Sequence, residues 1–250
     1  MYLRPLGRGF LVQPSPPAPL EVEPEKSDVV DDRPKLPDKV IVVGHLRNES
    51  TGWVAENLPD WQHAIYTVDD PDAPLKPPKN KGHEAMVYLT YIIDHYDKLP
   101  STVVFLHAHR DGYPKAWHND ADDYDNVNSV RNLRIDFVQQ SGYANLRCIH
   151  IPGCPDEIRP FRKNMIKDKP HEIAFAQAWK DIFGADVPTP ELIAAPCCSQ
   201  WAASRTQIRQ RKKEEYIRYR QWLLDTPLDD AISGRVLEYL WHIFMMRDPV

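Results

Sequence analysis

The chain has 250 residues, of which 42% are apolar and 27% charged, with a net charge of −5. That length suits one large domain or two small ones, and the composition excludes a generally disordered chain. The negative balance excludes a protein that binds nucleic acid over its whole surface, so polyanion binding would need a local basic patch.

Residues 1–37 carry eight prolines, among them Pro14, Pro16, Pro17 and Pro19. Proline fixes φ and lacks a backbone donor, so this stretch is expected to be a flexible or polyproline-like tail. A single α/β catalytic domain is expected over 38–250. Lys39–His45 is a β-branched run apolar on both faces, which predicts a buried and parallel strand. A short helix over 51–58 would turn Trp53 and Leu58 inward, and Ala64–Val68 predicts a second strand. Lys81-Gly82-His83-Glu84 opens a helix whose stripe is Ala85, Leu89, Ile92, Ile93 and Tyr96. Thr102–His107 predicts a third strand and Leu146–His150 a shorter fourth. Helices are predicted over 172–183, 206–224 and 233–246, the last capped by Ser233. This order implies a three-layer, Rossmann-like α/β core with a mainly parallel sheet and a helical C-terminal half. Ligand crevices form at the carboxyl ends of such strands, where this chain carries His45, Asp69, Asp70, His107 and His109.

Five segments have the residue types for chemistry. The loop after the third strand holds His107, His109, His118, Asp120 and Asp122. Its imidazoles could move protons or join Asp120 around a metal, or merely satisfy backbone carbonyls. Asp120-Ala121-Asp122 also spells the Asp-X-Asp pattern of metal-dependent glycosyltransferases, although any acidic turn can do so. At the helix start, free amides could hold an anion, and Glu84 could either accept a proton or complement the helix dipole. Cys198, and after it Ser199, are candidate nucleophiles ahead of a helix; small core residues are the alternative. Cys197 and Cys198, being adjacent, are not expected to pair. The stretch from Arg205 to Arg220 has seven cations (Arg205, Arg209, Arg211, Lys212, Lys213, Arg218 and Arg220) against Glu214 and Glu215. It could contact a phosphate backbone or be a solvated face. Finally, Glu238 could pair with Arg235 across one helical turn, or face the crevice and hold a cationic side chain.

Eight spaced blocks resemble the fungal family known as domain of unknown function 3431. They are Asn80–Ala85, Tyr96–Pro100, Val104–His109, Trp117–Asp120, Gly142-Tyr143 with Asn145–Cys148, Pro152–Cys154, Pro196–Gln200, and Ser233–Val236 with Glu238–His242. Ser199, where alanine is common, and Trp201, where phenylalanine is common, are mild departures. Within that family the chain is similar to arginine-containing cyclodipeptide synthases. The resemblance implies an aminoacyltransferase that joins arginine and a second amino acid, both delivered on tRNA, into a diketopiperazine. His107, His109, Glu84 and Cys198 would then be catalytic, Asp120, Glu238 and His118 would bind substrate, and the basic stretch would bind tRNA. The ester is already activated, so no cofactor and no metal is expected. No run of about 18 apolar residues is present, so no membrane partner is expected; with no secretory signal visible and four cysteines that make no disulfide scaffold, a reducing cytoplasm is the expected location. A metal-dependent glycosyltransferase using Asp120 and Asp122, and a non-catalytic binding protein with a proline-rich tail, are the alternatives.

Overall fold

The computed structural model describes residues 38–155, 157–164, 166 and 168–250; the expected tail over 1–37 lies outside the described residues. The five strands are β1 (Lys39–His45), β2 (Gln62–Thr67), β3 (Thr102–Leu106), β4 (Tyr143–Asn145) and β5 (Trp201–Ser204). They form one sheet in the order β2-β1-β3-β5-β4. Pairings β1–β2 and β1–β3 are parallel, whereas β3–β5 and β5–β4 are antiparallel. The sheet is thus mixed, and the expected mainly parallel sheet is limited to β2-β1-β3. The fold is mixed α/β.

Nine α-helices are seen among the described residues: α1 (Gly52–Asn57), α2 (Ala85–His95), α3 (Asn126–Arg131), α4 (Ile135–Ser141), α5 (Pro170–Phe183), α6 (Arg205–Ile208), α7 (Lys213–Asp225), α8 (Asp230–Glu238) and α9 (Trp241–Phe244). Alternate residues of β1 and β3 serve opposite faces of the sheet. On one face Val40, Val42, Val103 and Phe105 pack with side chains of α2, α5, α7, α8 and α9. On the other, Ile41, Val43, Val104 and Leu106 pack with Trp53, Val54, Val127 and Val138. Phe105 and Trp201 lie 4.1 Å apart by ring centroid, and Tyr88 and Trp241 close the same aromatic cluster.

Several expected elements are corrected. Leu146–His150 is not a strand; the fourth strand lies just before it, where Ala144 pairs with Ala202. Trp201–Ser204 is a strand where the sequence suggested only the approach to a helix. The expected helix over 206–224 is broken between Ile208 and Lys213, and the one over 233–246 between Glu238 and Trp241. Asp229, not Ser233, caps α8: its Oδ1 accepts from Ile232 N at 2.8 Å, while the Ser233 hydroxyl donates back to Asp229 O at 2.7 Å. Among the described residues, no helix is long and apolar enough to cross a membrane.

Candidate functional site

A two-lobed cleft opens where β1 and β3 end. Its first lobe is lined by Trp117, Glu157, Cys197, Cys198, Arg235 and Glu238. The second takes in His45, Glu49, His109, Lys115 and Asp230. His83, Glu84, His107 and His118 belong to both lobes. Each group arrives on a different element. The end of β3 delivers His107, the turn into α2 delivers Glu84, the loop after β3 delivers His118, and the last turn of α8 delivers Glu238. Gly234 lets α8 come close: a Cβ there would stand 2.7 Å from the His83 ring.

At the junction of the lobes, His107 Nε2 lies 4.0 Å from Glu84 Oε2, and the His107 and His118 rings are 4.3 Å apart by centroid. His107 Nε2 and His118 Nδ1 are buried without hydrogen-bond partners. Burial pushes the His107 imidazolium down to a pKa of about 4 and that of His118 to about 3, so both rings are neutral at pH 7. In the second lobe His109 Nε2 stands 3.4 Å from Glu49 Oε1. Glu238 is the opposite case. Burial raises its carboxyl to about 7, although Arg235 opposes the shift. Its Oε1 accepts from Cys198 N at 2.7 Å and its Oε2 lies 2.9 Å from Arg235 Nε. The expected Arg235–Glu238 pair is therefore present, and Glu238 faces the cleft as well. A carboxyl that titrates near neutrality can both take and return a proton at working pH, which neither depressed imidazole does as readily.

Three buried amides that the sequence reading did not assign hold this arrangement. Gln200 accepts from His107 N at 2.9 Å and donates to His118 O and to Asn126 Oδ1, each at 3.1 Å. Asn126 donates to His109 O at 2.8 Å. Asn119 donates to Asn126 Oδ1 and to Tyr124 O at 2.9 Å. Gln200, Asn126 and Asn119 thus fix the backbone of all three histidines. Gln200 and Asn119 lie inside the blocks that carry the family resemblance, which was the available signal; Asn126 had none. Arg147 adds a further brace, donating to Trp117 O at 2.9 Å with its guanidinium over the Trp117 ring.

Three expectations fail here. Cys197 and Cys198 form a disulfide with each other. Cys198 therefore has no free thiol for acyl transfer, and the segment leads into β5, so no helix N-terminus lowers a thiol pKa there. Asp120 does not line the cleft: its Oδ2 accepts from Ile149 N at 2.9 Å and from Cys148 N, which makes it a loop brace and removes it from the substrate-binding and metal-binding sets. The amide of Gly82 donates to Asp230 Oδ1 at 3.2 Å and that of Ala85 to Gly82 O, so neither is free to hold an anion at the start of α2. His242 lies beyond the break that follows Glu238 and does not line the cleft; its Nε2 is 3.3 Å from Pro249 O.

The basic stretch does not rim the cleft. Arg205 N donates to Ser101 O and Arg205 Nη2 lies 2.8 Å from Asp38 Oδ1, at the starts of β3 and β1. Arg209 donates to Tyr96 O and Lys213 lies 3.8 Å from Asp97, beyond the C-terminus of α2. The eleven residues of α2 place that end about 16 Å from Glu84. Arg211 donates to Ile243 O and Phe244 O, Arg218 to Ile182 O and Arg220 to Thr90 Oγ1. Most of these cations pin α6 and α7 to the core; Lys212 is exposed.

The family profile of DUF3431, a protein of unknown function, matches residues 41–250. The chain belongs to this family. No curated protein and no solved structure matches the chain. The DUF3431 match includes every residue named in both lobes of the cleft.

The depressed histidines make acid stability a test of the geometry. Burial holds His107, His118, His171 and His242 neutral in the fold, at pKa values of about 4, 3, 4 and 4. Each favours the fold above the unfolded histidine pKa of about 6.5 and loses that contribution as pH falls toward its folded value. Glu238, with its raised pKa, acts in the opposite sense, but it is one group against four. The urea midpoint is therefore expected to fall steadily from pH 6.5 to pH 4; a midpoint that stays flat across that window would contradict the neutral, buried rings.

Proposed function

We propose that the protein is an aminoacyl-transfer enzyme, and specifically an aminoacyl-tRNA-dependent synthase that joins arginine and a second amino acid into a diketopiperazine in the cytoplasm. We read the β2-β1-β3 half with its covered faces as a Rossmann-like core that presents the reacting groups. The observation that carries this reading is Glu238, a largely buried carboxyl raised to about 7 in a cleft shared with Glu84 and neutral imidazoles. The charge of the lining also favours a guanidinium. Glu49, Glu84, Glu157, Asp230 and Glu238 face the cleft against Lys115 and Arg235. A planar guanidinium can donate two parallel hydrogen bonds to such carboxylates.

In this mechanism the neutral α-amine of one aminoacyl ester attacks the ester carbonyl of the other. A C–N bond forms, the C–O bond to the tRNA ribose breaks, and the amine proton passes through Glu238 to the leaving ribose oxygen. Attack by the remaining amine on the remaining ester closes the six-membered ring and releases the second tRNA. His107 and His118, neutral at pH 7, accept hydrogen bonds from the attacking amine. Holding both esters in one cleft converts a bimolecular step into an effectively unimolecular one.

A tRNA acceptor end entering the cleft would pass Arg47, Arg110 and Lys115, since Leu46, His109 and Lys115 line its second lobe. Charged total tRNA with labelled arginine should yield a labelled diketopiperazine by mass spectrometry, and ribonuclease should abolish it. Lys115→Glu with Arg47→Glu should weaken tRNA binding at low salt, while Lys212→Glu should leave it within about twofold. No labelled cyclic product, or an unchanged yield after ribonuclease, would remove this function.

A further inference from the structure

Cys197, Cys198 and Glu238 meet in the first lobe, and the mechanism above uses only the last of them. Their ligand atoms, two Sγ and a carboxylate oxygen, all lie within 4.8 Å of one another, the one such trio among the described residues. All three line the first lobe. We propose that reduction of the Cys197–Cys198 disulfide opens a site for a thiophilic divalent cation of the zinc class, held by the two thiolates and the Glu238 carboxylate.

The chemistry balances. A dithiol reductant gives two electrons and two protons to the S–S bond and is itself oxidised to a disulfide, leaving two thiols. Binding of the cation then releases both thiol protons, and any proton held on the Glu238 carboxyl, to solvent. Zinc bonds to thiolate at about 2.3 Å, so tetrahedral coordination needs the two sulfurs about 3.8 Å apart. The separation is out of reach while the sulfurs are bonded and within reach once they part, so the disulfide itself keeps the cation out. The charges also match. Two thiolates and a carboxylate carry −3, against +2 from the cation and +1 from Arg235, which lies 2.9 Å from Glu238 Oε2. Arg235 can stay on that oxygen while the other binds metal. Three protein ligands leave a fourth position for water or a ligand in the lobe that all three line. An occupied site withdraws Glu238 from proton transfer, so the oxidised form is the one equipped for acid–base chemistry. The metal site itself does not depend on the aminoacyl-transfer reading.

Cobalt(II) reports such a site directly. The full chain is reduced with a dithiol, freed of it under anaerobic conditions, and titrated with Co²⁺. One equivalent should produce a thiolate-to-cobalt charge-transfer band and the intense visible bands of a tetrahedral centre, and Zn²⁺ should bleach them. The disulfide form should give neither. Cys148→Ser with Cys154→Ser should keep the signal, Cys198→Ser should lose it, and Glu238→Gln should weaken cobalt binding by about tenfold or more. The proposal is overturned if the reduced protein gives no charge-transfer band, if the oxidised protein gives the same one, or if removing Cys148 and Cys154 abolishes it.

Discussion

Glu238→Gln is expected to lower the rate of diketopiperazine formation by about 10²- to 10³-fold, because it removes the cleft carboxyl whose pKa burial raises to about 7. Glutamine keeps the shape and can still accept from Cys198 N, so the loss isolates proton transfer from packing. The same substitution has a stability signature that needs no substrate. The folded pKa of Glu238 is about 7, above its unfolded value near 4.5. The folded state therefore holds the extra proton between those two values, and wild-type stability carries a falling contribution as pH rises from 4.5 to 7. Glutamine does not titrate, so the stability difference between variant and wild type should shift in favour of the variant across that window. Urea titrations at pH 5 and pH 8 measure it. A difference that is the same at both pH values, with activity retained, would mean that Glu238 is an ordinary ionised carboxylate.

Asn126→Leu is expected to cost about 4 kcal/mol, from three buried partners each worth about 1–3 kcal/mol when left unsatisfied. Asn126 is fully buried; it donates to His109 O and accepts from both Asn119 and Gln200. Leucine fills a similar volume but takes the donor from the His109 carbonyl and leaves one N–H each of Asn119 and Gln200 unpaired, their remaining bonds being to Tyr124 O and His118 O. Because Gln200 also binds His107 N and His118 O, the loss should also displace the histidines and reduce turnover. Asn126→Asp separates the two effects, since aspartate can still accept from both amides but cannot donate to His109 O. A leucine variant that loses less than about 1 kcal/mol in denaturant unfolding would show that the network is not what fixes the loop.

Much of the scaffold was legible because its signals are local. The run at Lys39–His45, the stripe of α2 and the strand before His107 all follow from side-chain periodicity, and they put His107 and Glu84 at one end of the sheet. Strand β5 was not legible. Trp201-Ala202-Ala203-Ser204 lacks β-branched residues, and it is a strand because Val103 and Tyr143 both pair with Ala203 from either side. The basic run misled for a similar reason. Its period fits an exposed face, yet Arg209 and Arg211 find carbonyls at Tyr96, Ile243 and Phe244, which sequence distance hides.

Composition and periodicity alone settled the α/β class, the three parallel strands and the presence of histidines and carboxylates at their ends, since each depends on neighbours a few positions apart. Tertiary packing decided the pairing of Cys197 with Cys198, the neutrality of His107 and His118, and the elevated pKa of Glu238. Those properties depend on how much water each group keeps and which dipoles surround it, and both are set by segments that meet only when the chain folds.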